Sequence, residues 1–252
     1  MNDVAIKDLL YRMADDELII GHRNSEWTGL GPILEEDIAF SSIAQDQIGH
    51  ALANYGLLNA EFGEPIPDII AFSRNEKDFH SSHFVELPIG DYAFSLMRHF
   101  LFDHAESIRY SMLTVSSFAP LASLAKKIKG ELKYHVLHAD MWVAKLGKGT
   151  EESHAKMQSA LNEAFPYALG MFEPSKLDKE LKSENIFEGE TALQTKWLEA
   201  ITPILERANL QLSNLPIKER MYGGRQGYHT EYLQPLLDEM TEVYRLDPAA
   251  TW

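Results

Sequence analysis

Apolar residues recur at three- and four-residue steps through most of this chain, the periodicity of amphipathic helices. In residues 1–22 the series is Ile6, Leu9, Leu10, Met13, Leu18 and Ile20, and it predicts a first helix. Residues 24–32 hold two Gly, one Ser and one Pro and read as a loop, with Trp27 either a buried anchor or a contact point. A second helix is expected over about 33–62; it has no internal Pro, and Gly63-Glu64-Pro65-Ile66-Pro67 ends it. Residues 68–89 are less regular, and Phe72, Phe79, Phe84 and Leu87 suit a segment covering one end of a bundle. A third helix is expected over about 91–118, where Tyr92, Phe94, Leu96, Met97, Phe100, Leu101 and Phe102 imply burial on more than one face. After Pro120 a fourth helix spans about 121–146 and stops at Gly147-Lys148-Gly149.

Thr150 is placed to cap a further helix that runs to Phe172 with a kink at Pro166. A charged connector, 173–189, leads to a helix over 191–212 bent at Pro203. A loop at 215–227 and a last helix at 231–245, capped by Thr230, close the chain. Period-two alternation with Val or Ile is rare. The expectation is therefore an all-α protein with four long helices and two or three peripheral ones. No domain boundary stands out. Residues 1–252 are taken as one helical domain, with a core at about 3–146 and an extension at about 150–246. The first and second helices and the third and fourth suggest a weak internal duplication, with His50 and His135 at comparable places.

Composition narrows the function classes. The 252 residues include no Cys, 38 acidic residues and 23 Lys or Arg, for a net charge of −15. Disulfides and thiolate-held zinc or iron–sulfur sites are excluded. Nucleic acid and anionic membrane are poor partners for so acidic a chain. A monomer of this mass exposes roughly 11,000 Å² and buries enough of its surface for a full core. There is no apolar run of membrane-spanning length and no leader pattern at the first residues. The expected location is the cytoplasm.

Helical bundles hold two-metal centres in one recurrent way. Two helices give a carboxylate each, and the other two give Glu-x-x-His, whose spacing points both side chains inward. Carboxylates bridge and neutralise the cations while imidazole completes the coordination. Here the second helix has Asp46-Gln47-Ile48-Gly49-His50, with Gln47 three residues before His50. The fourth has Glu131-Leu132-Lys133-Tyr134-His135, with Leu132 in that position. What remains is a carboxylate four residues before each His, Asp46 and Glu131. Facing carboxylates come from Asp15, Asp16 and Glu17 on the first helix and from Asp103 and Glu106 on the third. One reading is a metal site with altered ligands, and the other is a polar network satisfied by its own hydrogen bonds. His138 shares a face with His135, whereas His22, His99 and His104 read as ordinary histidines. Gly223-Gly224-Arg225-Gln226-Gly227 joins flexible backbone to one cation before His229. Together with Trp27 it is a candidate partner or anion contact, or else a tight loop.

The sequence resembles the C-type subunits of the bacterial phenylacetyl-CoA ring-1,2-epoxidases, within the ferritin-like superfamily. The residues that carry the resemblance are Ser25-Glu26-Trp27, Glu35 with Asp37, Asp46 through Ala51, Phe72-Ser73-Arg74, Asp103, Glu131 with Tyr134-His135, and Gly223-Gly224-Arg225 through His229-Thr230-Glu231. The resemblance implies a ferritin-like four-helix bundle with additional C-terminal helices. It also implies a structural, non-catalytic role beside a paralogous A subunit that carries the di-iron site. A small B subunit and a reductase supplied by NADPH complete that assembly, which uses O₂ to epoxidise phenylacetyl-CoA during phenylacetate breakdown. Self-association within such a hetero-oligomer is also expected. On this reading the chain itself holds no metal and no cofactor, and Asp15, Glu17, Asp46, Gln47, His50, Asp103, Glu106, Glu131, Leu132 and His135 are degenerate positions of a di-iron site. The alternative is a catalytically active di-iron oxygenase with altered ligands.

Overall fold

The structure is a computed structural model, and it describes residues 2–212 and 221–247. Ten α-helices account for most of these residues, and no strand occurs among them. The long ones are α1 (Asp3–Ser25), α2 (Leu34–Phe62), α5 (Tyr92–Leu113) and α6 (Ala119–Gly147), followed by α7 (Glu151–Gly170) and α9 (Glu190–Arg207). Shorter helices are α3 (Pro67–Phe72), α4 (His83–Glu86), α8 (Asp178–Ser183) and the terminal α10 (Leu233–Leu246).

Local chemistry sets the helix ends. The Asn2 side chain accepts the Ala5 amide at the start of α1, Asp91 accepts Phe94 N at α5, and Thr150 accepts Ser153 N at α7. Pro67 and Pro120 sit in the first turns of α3 and α6, where no amide is needed. Gly63 closes α2 at φ 68°, a left-handed position that favours glycine. α7 and α9 run through Pro166 and Pro203.

α1 lies along α2, and α5 along α6; the two pairs face each other as a four-helix bundle. α7 and α9 pack on the far side of α5. α5 is therefore enclosed, with 17 of its residues buried. Trp197 of α9 anchors the outer layer. Its indole N–H donates to Leu101 O at 2.9 Å, and its ring lies between Phe165 and Phe172.

Several expectations change in detail, and among them the helix expected over 191–212 ends at Arg207. The third helix ends at Leu113 instead of near 118, and the chain turns through 114–117 before α6. The irregular stretch 68–89 contains α3, a 3₁₀ turn and α4. Thr230 does not cap the last helix through its side chain; its hydroxyl donates to Glu86 Oε2 at 2.7 Å, and α10 begins at Leu233. Part of the expected loop at 215–227 lies outside the described residues, as do 248–252.

Candidate functional site

The bundle brings together six of the candidate side chains. Glu17 descends from α1 and Asp103 from α5, both fully buried. His50 on α2 and His135 on α6 lie between them, with ring centroids 6.1 Å apart and planes at 29°. His50 Nδ1 is 3.3 Å from Glu17 Oε1, and its Nε2 is 2.9 Å from Glu131 Oε2. His135 Nδ1 is 3.2 Å from Asp103 Oδ1, and its Nε2 is 3.1 Å from Asp46 Oδ2. The pattern repeats. Each imidazole takes one carboxylate from the first helix of its own pair and one from the second helix of the facing pair. Asp46 and Glu131 are the outer members, with 47% and 38% of their side chains exposed.

Electrostatics follow from this geometry. Burial alone would lower the pKa of His135. Asp103 and Asp46 outweigh it and push the imidazolium up to about 9. His50 is raised in the same way, burial being overcome by Glu17 and Glu131. Asp103 is held below the usual carboxylate range, since His99 and His135 outweigh its burial. Glu17 is raised by burial, against the pull of His50. His135 is thus protonated at neutral pH, and each of its N–H groups donates to a carboxylate.

The network extends beyond the expected residues. His99 Nδ1 contacts Asp103, and its Nε2 is 3.2 Å from His138 Nδ1. His138 Nε2 is 2.8 Å from Glu36 Oε2, which also accepts the Tyr92 hydroxyl at 2.5 Å. His99 is therefore an interior link and not an ordinary histidine. The four-residue step from His99 to Asp103 and the three-residue step from His135 to His138 are the signals for it in the sequence.

A two-cation centre does not fit this donor set. Gln47 is turned to Asn24, whose Nδ2 donates to its Oε1 at 2.9 Å. Leu132 lies in the apolar core and offers no ligand. All four ring nitrogens of His50 and His135 already face carboxylates, so no imidazole lone pair points at an open position. Among the described residues, no group of three or more His, Cys, Asp or Glu is arranged to hold a metal ion.

The other acidic candidates are engaged elsewhere. Asp15 accepts from Tyr55, Arg74 and the His80 amide. Glu106 pairs with Arg109, which also binds Glu190 at 2.7 Å. Burial and the nearby Glu17 push Glu106 up to about 7, against the pull of Arg109.

Residues 1–252 match the family model of the phenylacetic acid catabolic proteins. The chain belongs to this family. A relative from Escherichia coli (strain K12), the C subunit of 1,2-phenylacetyl-CoA epoxidase, is 33% identical over 244 residues, 96% of each chain.

In this member of the phenylacetic acid catabolic proteins the Gly-Gly-Arg segment turns inward and binds the chain's own groups. Arg225 is buried. Its Nη2 donates to Asp16 Oδ2 at 2.6 Å, and its guanidinium also meets the carbonyls of Arg12, His80 and Met171. Gly224 is required by space, because a Cβ there would lie 2.1 Å from Ser81 O. Gly223 takes φ 131°, a conformation side chains disfavour. His229 is held by Glu86 at 2.7 Å and by Phe79 O. Trp27 is likewise a buried anchor: it donates to Ser95 Oγ at 2.8 Å and packs on Phe40 and Tyr92.

Proposed function

We propose that this chain is the structural, non-catalytic C subunit of a phenylacetyl-CoA 1,2-epoxidase complex. The observation that carries the reading is the state of the bundle centre. Where the recurrent two-metal pattern has a Glu three residues before each His, this chain has Gln47 and Leu132, and its two imidazoles are bonded on both sides to the four carboxylates that are present. The similarity to the C subunit of an epoxidase along 96% of both chains supports the same reading. Its role is to support a catalytic A subunit through a helical interface. In this reading the di-iron centre belongs to that partner, O₂ and NADPH are consumed by the whole assembly, and a small B subunit and a reductase complete it. Residues 1–252 act as one helical domain in the cytoplasm, and no helix of the described residues is long and apolar enough to cross a membrane.

Metal analysis of the separated subunits tests this reading. After co-expression and anaerobic iron reconstitution, this chain carries far less than one iron, and the iron follows the partner. Two tightly held irons on this chain would sink the proposal.

A further inference from the structure

The outer faces of α2 and α6 carry an unusual set of exposed apolar side chains. Leu34, Ile38 and Leu52 on α2, and Tyr134, Leu137 and Met141 on α6, are each between 53 and 70% exposed. On α6 the steps from Gly130 through Tyr134 and Leu137 to Met141 are four, three and four residues. On α2 the stripe runs from Leu34 through Ile38, Gln45 and Gly49 to Leu52. This spacing is the seam of a helix that receives another helix. The α2 stripe spans 18 residues, about 27 Å at 1.5 Å per residue. Clustered exposed apolar side chains of this kind mark interaction surfaces on soluble proteins.

Two further observations sit on the same face. Gly49 and Gly130 lie mid-helix on these stripes, and a Cβ at either would meet nothing within 4 Å. Glycine inside a helix costs about 1 kcal/mol against alanine, and no contact among the described residues requires it at either place. Both positions let an outside backbone approach closely. In addition, Asp46 on α2 and Glu131 on α6 are partly exposed, each with one oxygen on His135 or His50.

From these features we infer that the α2–α6 face docks a companion helical subunit, which lays apolar ridges along the two stripes and brings cationic side chains to Asp46 and Glu131. Charge selects this occupant over a second copy of the chain. α2 and α6 run antiparallel, since Asp46 meets His135 while His50 meets Glu131. A two-fold pairing of identical faces would therefore set Asp46 and Glu131 against the same carboxylates of the other copy, within a protein of net charge −15. The inference rests on the proposed role as a supporting subunit and assigns that role a surface.

The test uses the full chain co-expressed with the epoxidase A subunit. Tyr134→Asp/Leu137→Asp is compared with wild type and with Lys179→Glu/Lys182→Glu on α8, away from the stripes. The expected result is at least a 100-fold loss of affinity for the seam variant, with unchanged thermal unfolding of the isolated chain, and little change for the lysine variant. The milder Leu137→Ser guards against misfolding and is expected to weaken binding about tenfold. Equal affinity of the seam variants and wild type would overturn the inference while leaving the structural role standing. Wild-type chain that binds no A subunit at all would overturn both. A dimer of the isolated chain that Leu137→Asp dissolves would make a second copy the occupant and refute the charge argument.

Discussion

Replacing Arg225 by Met removes a buried cation but keeps an apolar stem of similar length. The structure gives the size of the effect. Asp16 is 2% exposed, and its Oδ2 loses the 2.6 Å contact to Nη2, keeping only the Ser82 amide on Oδ1 at 2.7 Å. The carbonyls of Arg12, His80 and Met171 lose a donor together. Breaking one side of a buried ion pair costs about 3–5 kcal/mol, because the other charge stays uncompensated. Urea unfolding at pH 7 reads this directly. Asp16→Asn should recover part of the loss when combined with Arg225→Met, with a coupling energy of about 2 kcal/mol or more. If the single variant cost less than about 1 kcal/mol and the cycle gave no coupling, Arg225 would not be holding the fold. A variant equally stable but deficient in assembly would return Arg225 to the role of a partner contact.

Further expectations follow from other sites. His135 is raised from 6.5 to about 9, so its pairing stabilises the fold fully below pH 6.5 and is lost as pH rises toward 9. The shift is worth about 3 kcal/mol, and the stability gap between wild type and His135→Gln should narrow by about that much between pH 6 and pH 9.5; a gap independent of pH would contradict it. Leu132→Glu places a carboxylate in the apolar core and should destabilise by about 2–5 kcal/mol at pH 7 in a thermal or urea melt, with relief as pH falls from 7 to about 4.3, where the unfolded chain also takes up the proton. Trp197→Ala should cost about 3–5 kcal/mol by the same melt, since it empties the space between Phe165 and Phe172 and frees Leu101 O. Gly224→Ala drives a Cβ into Ser81 O and should cost about 1–3 kcal/mol, with protease cleavage near 221–230 as a local readout.

Helix identity is legible in the sequence because apolar periodicity reports directly on buried faces. The ends of α2 and α6 are marked by Gly63 and by Pro120 and Gly147. The broken Glu-x-x-His pattern is also readable, since Gln47 and Leu132 stand at known helical steps from His50 and His135. What spacing does not supply is direction. Asp15, Asp16 and Glu17 are consecutive, so they fan out around α1, and each meets a different partner. Only Glu17 reaches the imidazoles; the others bind Arg74 and Arg225, 59 and 209 residues away. Arg225 misleads for the same reason. A glycine-rich loop with one cation looks like an open anion cradle until the fold places a buried carboxylate opposite it. For His99 the step to Asp103 is readable, but the pairing with His138, on another helix 39 residues on, is not.

The inward turn of residues 223–230 bears on how the chain is made. Asp16 and Glu86 are synthesised between 143 and 209 residues before Arg225, His229 and Thr230, which neutralise or hydrogen-bond them. Until then Asp16 has the Ser82 amide but no cation, and Glu86 only the Ser81 hydroxyl, so the α1–α4 side of the bundle is left short of partners. Closure there waits on a contact between residues 209 apart in sequence, and a chain stalled or truncated before residue 225 would remain open along α1.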